Sequence, residues 1–589
     1  MARRWILSPR NPELAMRLAE GLNVHPVVGE LLINRGVASI EAGRRFLNRK
    51  LVDLHDPVLH PGITEAADLI HEAIGQQKNI CIYGDYDVDG MCATAILLEC
   101  LRLGGTKPRF YVPDRLEEGY GLNSDALARL KDEGIDLVIT VDCGVSSWEE
   151  ANFARQIGLT LIVTDHHEYS ELGPAPADVV VHPRLPGSQY PFGGLCGTGV
   201  AYKLAWELAR RFSGGSKTTD LFQKFLLDAT SLAAVGTVCD VVPLNDENRV
   251  LVHHGLRSLK AEPPMGLACL MELAGMASKA KLDSGDLGFV IGPRLNACGR
   301  LGQARLGVEL LTTKDKMRAW ELARYLEEEN KKRQSVERKI FTEARELAEK
   351  QYDIDDKDAC PVLVLASENW HPGVIGIVAS RMVERYHRPC LMIALGDGEG
   401  AGSGRSVPGF HLQQALAACG EHLIKSGGHA MAAGLRVRRD SLDRFRESFE
   451  ELARGQLAAE DLAGEIQVDV EVPLHVLNPS LLAKLEVMQP FGLTNPSPTM
   501  LATNLNVVGE PRKVGGGERH LMFRVAQGGK SMKAIAFGLA ERAEELMSQE
   551  GKCCVVFRPI ISEYRGYPEV ELQVKDFCAG SMVNQEVGA

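Results

Sequence analysis

Five carboxylates and two histidines stand where short apolar runs end: Asp85, Asp87 and Asp89 in DYDVDG, Asp142 in VDCG, and Asp165, His166 and His167 in TDHH. One aspartate in a turn before a helix N-terminus is ordinary. Three so close repel one another unless a cation neutralises them, and further acids and imidazoles at other strand ends point to a binuclear metal site. On a continuing strand Asp85, Asp87 and Asp89 would share one face; in a loop they could converge on one ion. Adjacent His166 and His167 allow one ring to bind metal while the other faces a substrate. Asp240, in LAAVGTVCDVVPL, is unremarkable alone and joins the set as a fourth element. Carboxylates with some imidazole and no thiolate suit Mn²⁺ or Mg²⁺ better than structural zinc. Two such ions, about 3.5 to 4 Å apart, polarise a phosphoryl group and lower the pKa of a bridging water. The expected chemistry is metal-assisted phosphoester hydrolysis.

The elements that must position these groups are legible as patterns. NICIYG, DLVITV and LTLIV have the length and β-branched content of strands buried on both faces of a parallel sheet. Ligands of such sheets lie outside the carboxyl ends of the strands. Residues 1–50 read as a helical lead-in and 51–313 as the first α/β domain. Residues 314–352 are a long connecting helix, with a middle, EEENKKRQSVERK, polar enough to be a solvent-exposed bridge. At about 1.5 Å per residue it spans roughly 55 Å and predicts two lobes with a gap between them. A second α/β domain follows at 353–457. Residues 463–580 alternate apolar and polar residues between turns, as in an OB-like antiparallel barrel, and 581–589 are a tail.

With 589 residues and 45% hydrophobic content the chain holds several domains. The formal net charge of -12 means that any nucleic-acid contact needs a local basic groove. Fourteen cysteines without a CxxC pair disfavour zinc ribbons and suggest reduced thiols, with Cys553 and Cys554 as packing residues. MARRWILSPRNPEL lacks a continuous apolar h-region and no run approaches a membrane span, so the expected location is the cytoplasm.

DYDVDG, VDCG, TDHH and GTVCDVVPL, in that order, resemble the motifs of the DHH phosphoesterase superfamily. IGPRLNACGRLG, NWHPGVIGIVASR, GSGRS and SGGHAMAAG resemble those of its DHH-associated domain, and FGLTNPSP before the barrel fits too. The resemblance implies that Asp87 binds one metal and Asp89 the other, that Asp142 bridges them, and that His166 and Asp240 complete the second site. It places Asp85 as support of the first site, Asp165 as the residue that orients its neighbours, and His167 facing the scissile phosphate. Tyr83 and Asp85 stand where smaller members often carry a histidine.

The remaining motifs read as substrate grips. Arg115, Arg294, Asn296, Arg300, Ser403, Arg405 and His429 combine guanidinium forks, polar side chains and glycine-exposed amides suited to phosphate. Arginines paired with surface acids, and a plain glycine turn before His429, are the bland alternatives. Trp370, Phe410 and Phe491 are candidates to stack on bases, against the commoner role of core aromatics. Lys513, Arg519 and His520 make one barrel loop basic. The resemblance implies a 5′ to 3′ exonuclease on single-stranded DNA, acting with two Mn²⁺ or Mg²⁺ ions in recombination and repair, with single-strand-binding protein and a helicase as partners and no membrane. A phosphodiesterase of short oligonucleotides or cyclic dinucleotides is the first competitor. An inactive nucleic-acid-binding scaffold is the second, but it would be expected to have lost metal ligands that are all present.

Overall fold

The computed structural model describes residues 3–114, 118–119, 121–300, 303–354, 356, 360–458, 461–562 and 568–580. Arg115 and the expected tail at 581–589 lie outside them. The chain divides into two compact units, one of residues 5–326 with those from 467 onward, the other of residues 327–466 with the first four.

The first unit begins with three helices, α1 (Pro12–Leu22), α2 (Pro26–Asn34) and α3 (Ile40–Asn48). A sheet of five parallel strands follows: β1 (Ile80–Tyr83), β2 (Arg109–Tyr111), β3 (Leu137–Val141), β4 (Thr160–Thr164) and β5 (Val179–Val181), in the order β2-β1-β3-β4-β5. Alternation along each strand feeds two cores. Ile80, Ile82, Leu137 and Ile139 enter one, while Cys81, Tyr83 and Val138 enter the other, which is why these runs carry no polar face. Helices α4 (Val88–Leu103), α5 (Gly197–Phe212) and α6 (Asp220–Cys239) pack together on the first face. Then come α7 (Asp246–Ala261), a π-helical turn at Leu287–Ile291 and α8 (Gly292–Arg300).

The helix α9 spans Lys316–Gln351, close to its expected bounds. Its centre is not solvated all round. Glu329, Asn330 and Arg333 are buried, and Arg333 donates to Asn330 Oδ1 at 2.7 Å and to Glu337 Oε2 at 2.6 Å. Pairing lets polar side chains be buried where sequence pattern alone assigns them to water. The second unit holds a mixed sheet of β6 (Leu363–Ser367), β7 (Cys390–Leu395), β8 (Glu399–Arg405), β9 (Leu423–Gly428) and β10 (Ala432–Arg438), ordered β9-β10-β8-β7-β6. Helices α10 (Pro372–Tyr386) and α11 (Leu442–Gln456) contribute to its two cores.

Back in the first unit, the OB-like barrel comprises β11 (Val470–Glu471), β12 (Met500–Val507), β13 (Arg512–Val514), β14 (His520–Gln527), β15 (Lys530–Ala536), β16 (Lys552–Ser562) and β17 (Glu569–Ala579). Their order is β11-β12-β16-β17-β15-β14-β13, and β12 also pairs with β14, which closes the barrel. Leu521, Phe523 and Val525 alternate inward, where they share one core with Leu18, Val28, Leu31 and Leu32 of α1 and α2. The lead-in helices therefore cap the barrel, although some 450 residues separate them in the chain. Arg249 of α7, 2% exposed, ties these parts to the helices on the parallel sheet. Its guanidinium donates to the carbonyls of Phe46, Met488, Gln489 and Pro490. No described helix is long and apolar enough to cross a membrane.

Candidate metal centre

In the strand order β2-β1-β3-β4-β5 the chain leaves β1 towards β2 and crosses back to β3, so the crevice at the carboxyl ends of β1 and β3 is the switch point of the sheet. DYDVDG lies there as a loop and helix start, not as a continuing strand. Asp87 is the N-cap of α4, and its Oδ1 accepts from the amides of Asp89 at 2.9 Å and Gly90 at 3.1 Å. Asp142 follows β3 at φ 64°, a left-handed conformation that Asp tolerates better than most residues and that often marks a functional turn. After β4, Asp165 accepts from the backbone of Val145 at 2.9 Å, His166 at 2.7 Å and His167 at 3.1 Å, and from His167 Nδ1 at 2.8 Å. Asp240 caps the C-terminus of α6.

These residues converge. His166 Nε2 lies 3.2 Å from Asp142 Oδ1, 3.6 Å from Asp240 Oδ2 and 3.8 Å from Asp89 Oδ2. Asp85, Asp87 and Asp142 bring carboxylate oxygens within 4.8 Å of one another, and a carboxylate oxygen of Asp142 and ring nitrogens of His166 and His167 lie equally close together. Burial, and after it the mutual repulsion of the carboxylates, raises Asp85, Asp87 and Asp142 above the ordinary range and pushes Asp240 up to about 9. Burial beside His167 lowers His166 to about 4, which leaves a neutral imidazole able to donate a lone pair. Burial opposes charge on His167 as well, but its hydrogen bond to Asp165 and the surrounding acids raise it to about 9. Asp165, despite burial, is held at about 2 by His167.

Divalent cations fit this cradle. Asp85 Oδ1, His166 Nε2 and Asp240 Oδ2 are buried without a hydrogen-bond partner among the described residues, and buried polar atoms are rarely left so. The acids crowd together at a cost that positive charge removes.

Several contributors escaped the sequence reading. The N-terminus of α5 meets Asp89: Gly197 N donates at 2.7 Å and Thr198 N at 3.0 Å to its carboxylate, so helix amides add positive potential at the acid. Cys196 brings its sulfur within 4.8 Å of oxygens of Asp89 and Asp240. The set expected to contain no thiol therefore has one alongside, protonated because burial first, and then the two acids, raise its pKa. Close approach demands glycine twice: a Cβ at Gly197 would stand 2.5 Å from Asp142 Oδ1, and one at Gly236 2.7 Å from Asp89 Oδ1. Behind the histidines, His182 Nε2 meets the His167 carbonyl at 2.8 Å and Arg184 donates to that of His166 at 2.5 Å.

The expected phosphate grips are distributed. Arg294, Asn296 and Arg300 lie on α8, where Arg294 donates to the Val290 carbonyl at 2.8 Å. The end of α8 reaches the acidic loop, since a Cβ at Gly299 would be 2.2 Å from the Tyr86 carbonyl. Ser403 and Arg405 stand on β8 of the other unit, with Arg405 donating to Ser403 Oγ at 3.3 Å. Arg405 pairs in register with Ala432, whose carbonyl accepts from His429 N at 2.7 Å, so these three share one end of that sheet. Trp370 and Phe410 are core residues, 4% and 2% exposed, and Phe491 packs against the barrel core. The apolar surface of Trp370 and Phe410 is already consumed, which corrects the base-stacking expectation for these two, while Phe491 is only partly buried. On the barrel, Lys513 and His520 belong to β13 and β14, and His520 stacks edge-on against Phe537 at 5.1 Å.

A parallel sheet with clustered acids and histidines at its switch point, joined to a second α/β unit and a barrel, defines a DHH-type metal-dependent hydrolase. Three family models match in order: the DHH family N-terminal domain over residues 79–234, the DHHA1 domain over 360–455, and the RecJ OB domain over 468–576. The single-stranded-DNA-specific exonuclease RecJ of Bacillus subtilis is 36% identical over 577 residues, covering 97% of this chain and 70% of its own length. That of Dickeya dadantii is 36% identical over 581 residues, covering 96% and 98%. Among solved structures, RecJ of Thermus thermophilus in complex with Mn²⁺ superposes with a TM-score of 0.82 at 30% identity, covering 98% of this chain and 80% of that one. The chain belongs to the RecJ family of single-stranded-DNA-specific exonucleases.

Proposed function

We propose that the chain is a 5′ to 3′ exonuclease that hydrolyses single-stranded DNA to 5′-mononucleotides with two Mn²⁺ or Mg²⁺ ions. The convergence of every expected acid and histidine at one buried switch point carries this reading. Asp87, supported by Asp85, would hold one ion; Asp89, His166 and Asp240 the other; Asp142 both. When bound, the ions polarise the scissile phosphodiester and supply a nucleophilic hydroxide near neutral pH. Asp165 fixes His167 through Nδ1, which makes Nε2 the atom that would meet a phosphate oxygen. Helix α5 steadies Asp89 with two amides, so the carboxylate geometry is set before substrate arrives.

Arg294, Asn296 and Arg300, with Arg115, Ser403, Arg405 and His429, would bind the phosphates of the strand and its 5′ end, and the barrel would offer a further contact surface. Action in DNA recombination and repair, with single-strand-binding protein and a helicase, accords with this activity. A cytoplasmic setting is supported by fourteen cysteines that form no disulfide with one another. Oligonucleotides labelled at the 5′ or the 3′ end, incubated with Mn²⁺, Mg²⁺ or EDTA, test the reading. Immediate release of 5′-labelled mononucleotide, dependent on metal, is expected. Intact long strands with cleaved dinucleotides or cyclic dinucleotides would instead identify a small-substrate phosphodiesterase, and binding without cleavage a scaffold.

A further inference from the structure

Phe289 is 85% exposed, the most exposed phenylalanine side chain among the described residues. It stands on the π-helical turn Leu287–Ile291, a distortion of helical winding that is frequent at functional sites. The turn is seated beside the metal centre. Its Leu287 carbonyl accepts from Cys239 Sγ at 3.7 Å, and a Cβ at Gly292 would be 2.5 Å from the same sulfur. Asp240 is the next residue after Cys239. From the turn, α8 runs to the acidic loop at Tyr86, so residues 287–300 border the cluster from Asp240 round to Asp87. Val241, 64% exposed at φ 59°, adds a second apolar side chain on the Asp240 side. An aromatic face so open to water gains nothing for the fold, whereas a nucleotide whose scissile phosphate lay at the metal centre would bring an unpaired base towards this rim.

We infer that Phe289 is a base platform, on which a nucleobase of the bound single strand stacks beside the metal centre; the inference rests on the exonuclease reading above. Stacking of this kind is tolerant of sequence because every base has a π-face. It also favours single strands, since a base within a duplex is already stacked and paired. Because the contact is present both before and during hydrolysis, it acts on KM more than on kcat.

The test is an abasic scan. Single-stranded oligonucleotides carry one abasic residue at successive positions from the 5′ end, and KM and kcat are measured with Mn²⁺ for wild type, Phe289→Ala, Phe289→Trp and Phe289→Leu. With intact strands, Phe289→Ala is expected to raise KM roughly 5- to 150-fold with little change in kcat, while Phe289→Trp retains wild-type values. At one position the abasic strand is expected to be as poor for wild type as for Phe289→Ala, which identifies the stacked base. An Ala variant that matches wild type on every strand, an equal Ala penalty at every abasic position, or full rescue by Leu would overturn the platform. A strand left intact by wild type would overturn the exonuclease reading, and this inference with it.

Discussion

Gly197→Ala would displace the central ligand of the site without removing any ligand. The new Cβ would sit 2.6 Å from Asp142 Cβ, 2.7 Å from its Cγ and 2.5 Å from Oδ1. These atoms are not the end of a flexible chain, so Asp142 or the start of α5 must shift by about 1 Å to reach ordinary contact. A displacement of that size costs on the order of 10²-fold in rate, and the overpacking itself about 1–3 kcal/mol of stability. Because α5 also delivers the two amides that hold Asp89, Mn²⁺ affinity should fall with turnover. Single-turnover degradation of a labelled oligonucleotide and calorimetric Mn²⁺ titration measure both. Gly75→Ala, at the end of a helix where an added Cβ meets nothing within 4 Å, is the control, with wild-type turnover and stability changed by no more than about 1 kcal/mol. A Gly197→Ala enzyme with wild-type turnover and metal affinity would refute the view that Asp142 must be placed this closely.

Asp165→Asn weakens the anchoring of both histidines and removes the charge opposite His167; activity and Mn²⁺ affinity should fall about 10- to 100-fold by the same two assays. Arg249→Met removes donors to the carbonyls of Phe46, Met488, Gln489 and Pro490, the last three of which keep a hydrogen bond from Arg49 or Asn495, and urea unfolding should show a loss of about 1–3 kcal/mol. Burial holds His60 neutral, lowering it from 6.5 to about 3. The unfolded chain therefore takes up a proton near pH 6.5 that the folded chain refuses, so this contribution is intact above that pH and declines as pH falls through it. At pH 5 the loss is about 2 kcal/mol, and comparison of urea unfolding at pH 7.5 and pH 5 should show that component disappearing in His60→Phe.

The acids and histidines were legible in the sequence because parallel strands all end on the same side, so DYDVDG, VDCG and TDHH had to meet once their apolar runs were read as neighbouring strands. What the pattern left open was whether DYDVDG continued a strand, and the N-cap role of Asp87 answers that. Cys196, Gly197 and Thr198 were not legible, because a helix entering about a hundred residues later approaches Asp89 through backbone amides and carries no motif of its own. The same limit hid the shared core of Leu31 and Phe557, since apolar periodicity says which face is buried and not against what. Trp370 and Phe410 read as candidate platforms by residue type and proved to be packed, whereas Phe289, two residues before a motif noticed for its arginines, is the most exposed phenylalanine among the described residues.

The central claim is that Asp142 lies between two catalytic cations. Anomalous diffraction from crystals of the protein grown with Mn²⁺ tests it most directly. The account predicts two manganese peaks about 3.5 to 4 Å apart, one against Asp85 and Asp87, the other against Asp89, His166 and Asp240, with Asp142 touching both. A single peak, or a pair that Asp142 does not bridge, would contradict it.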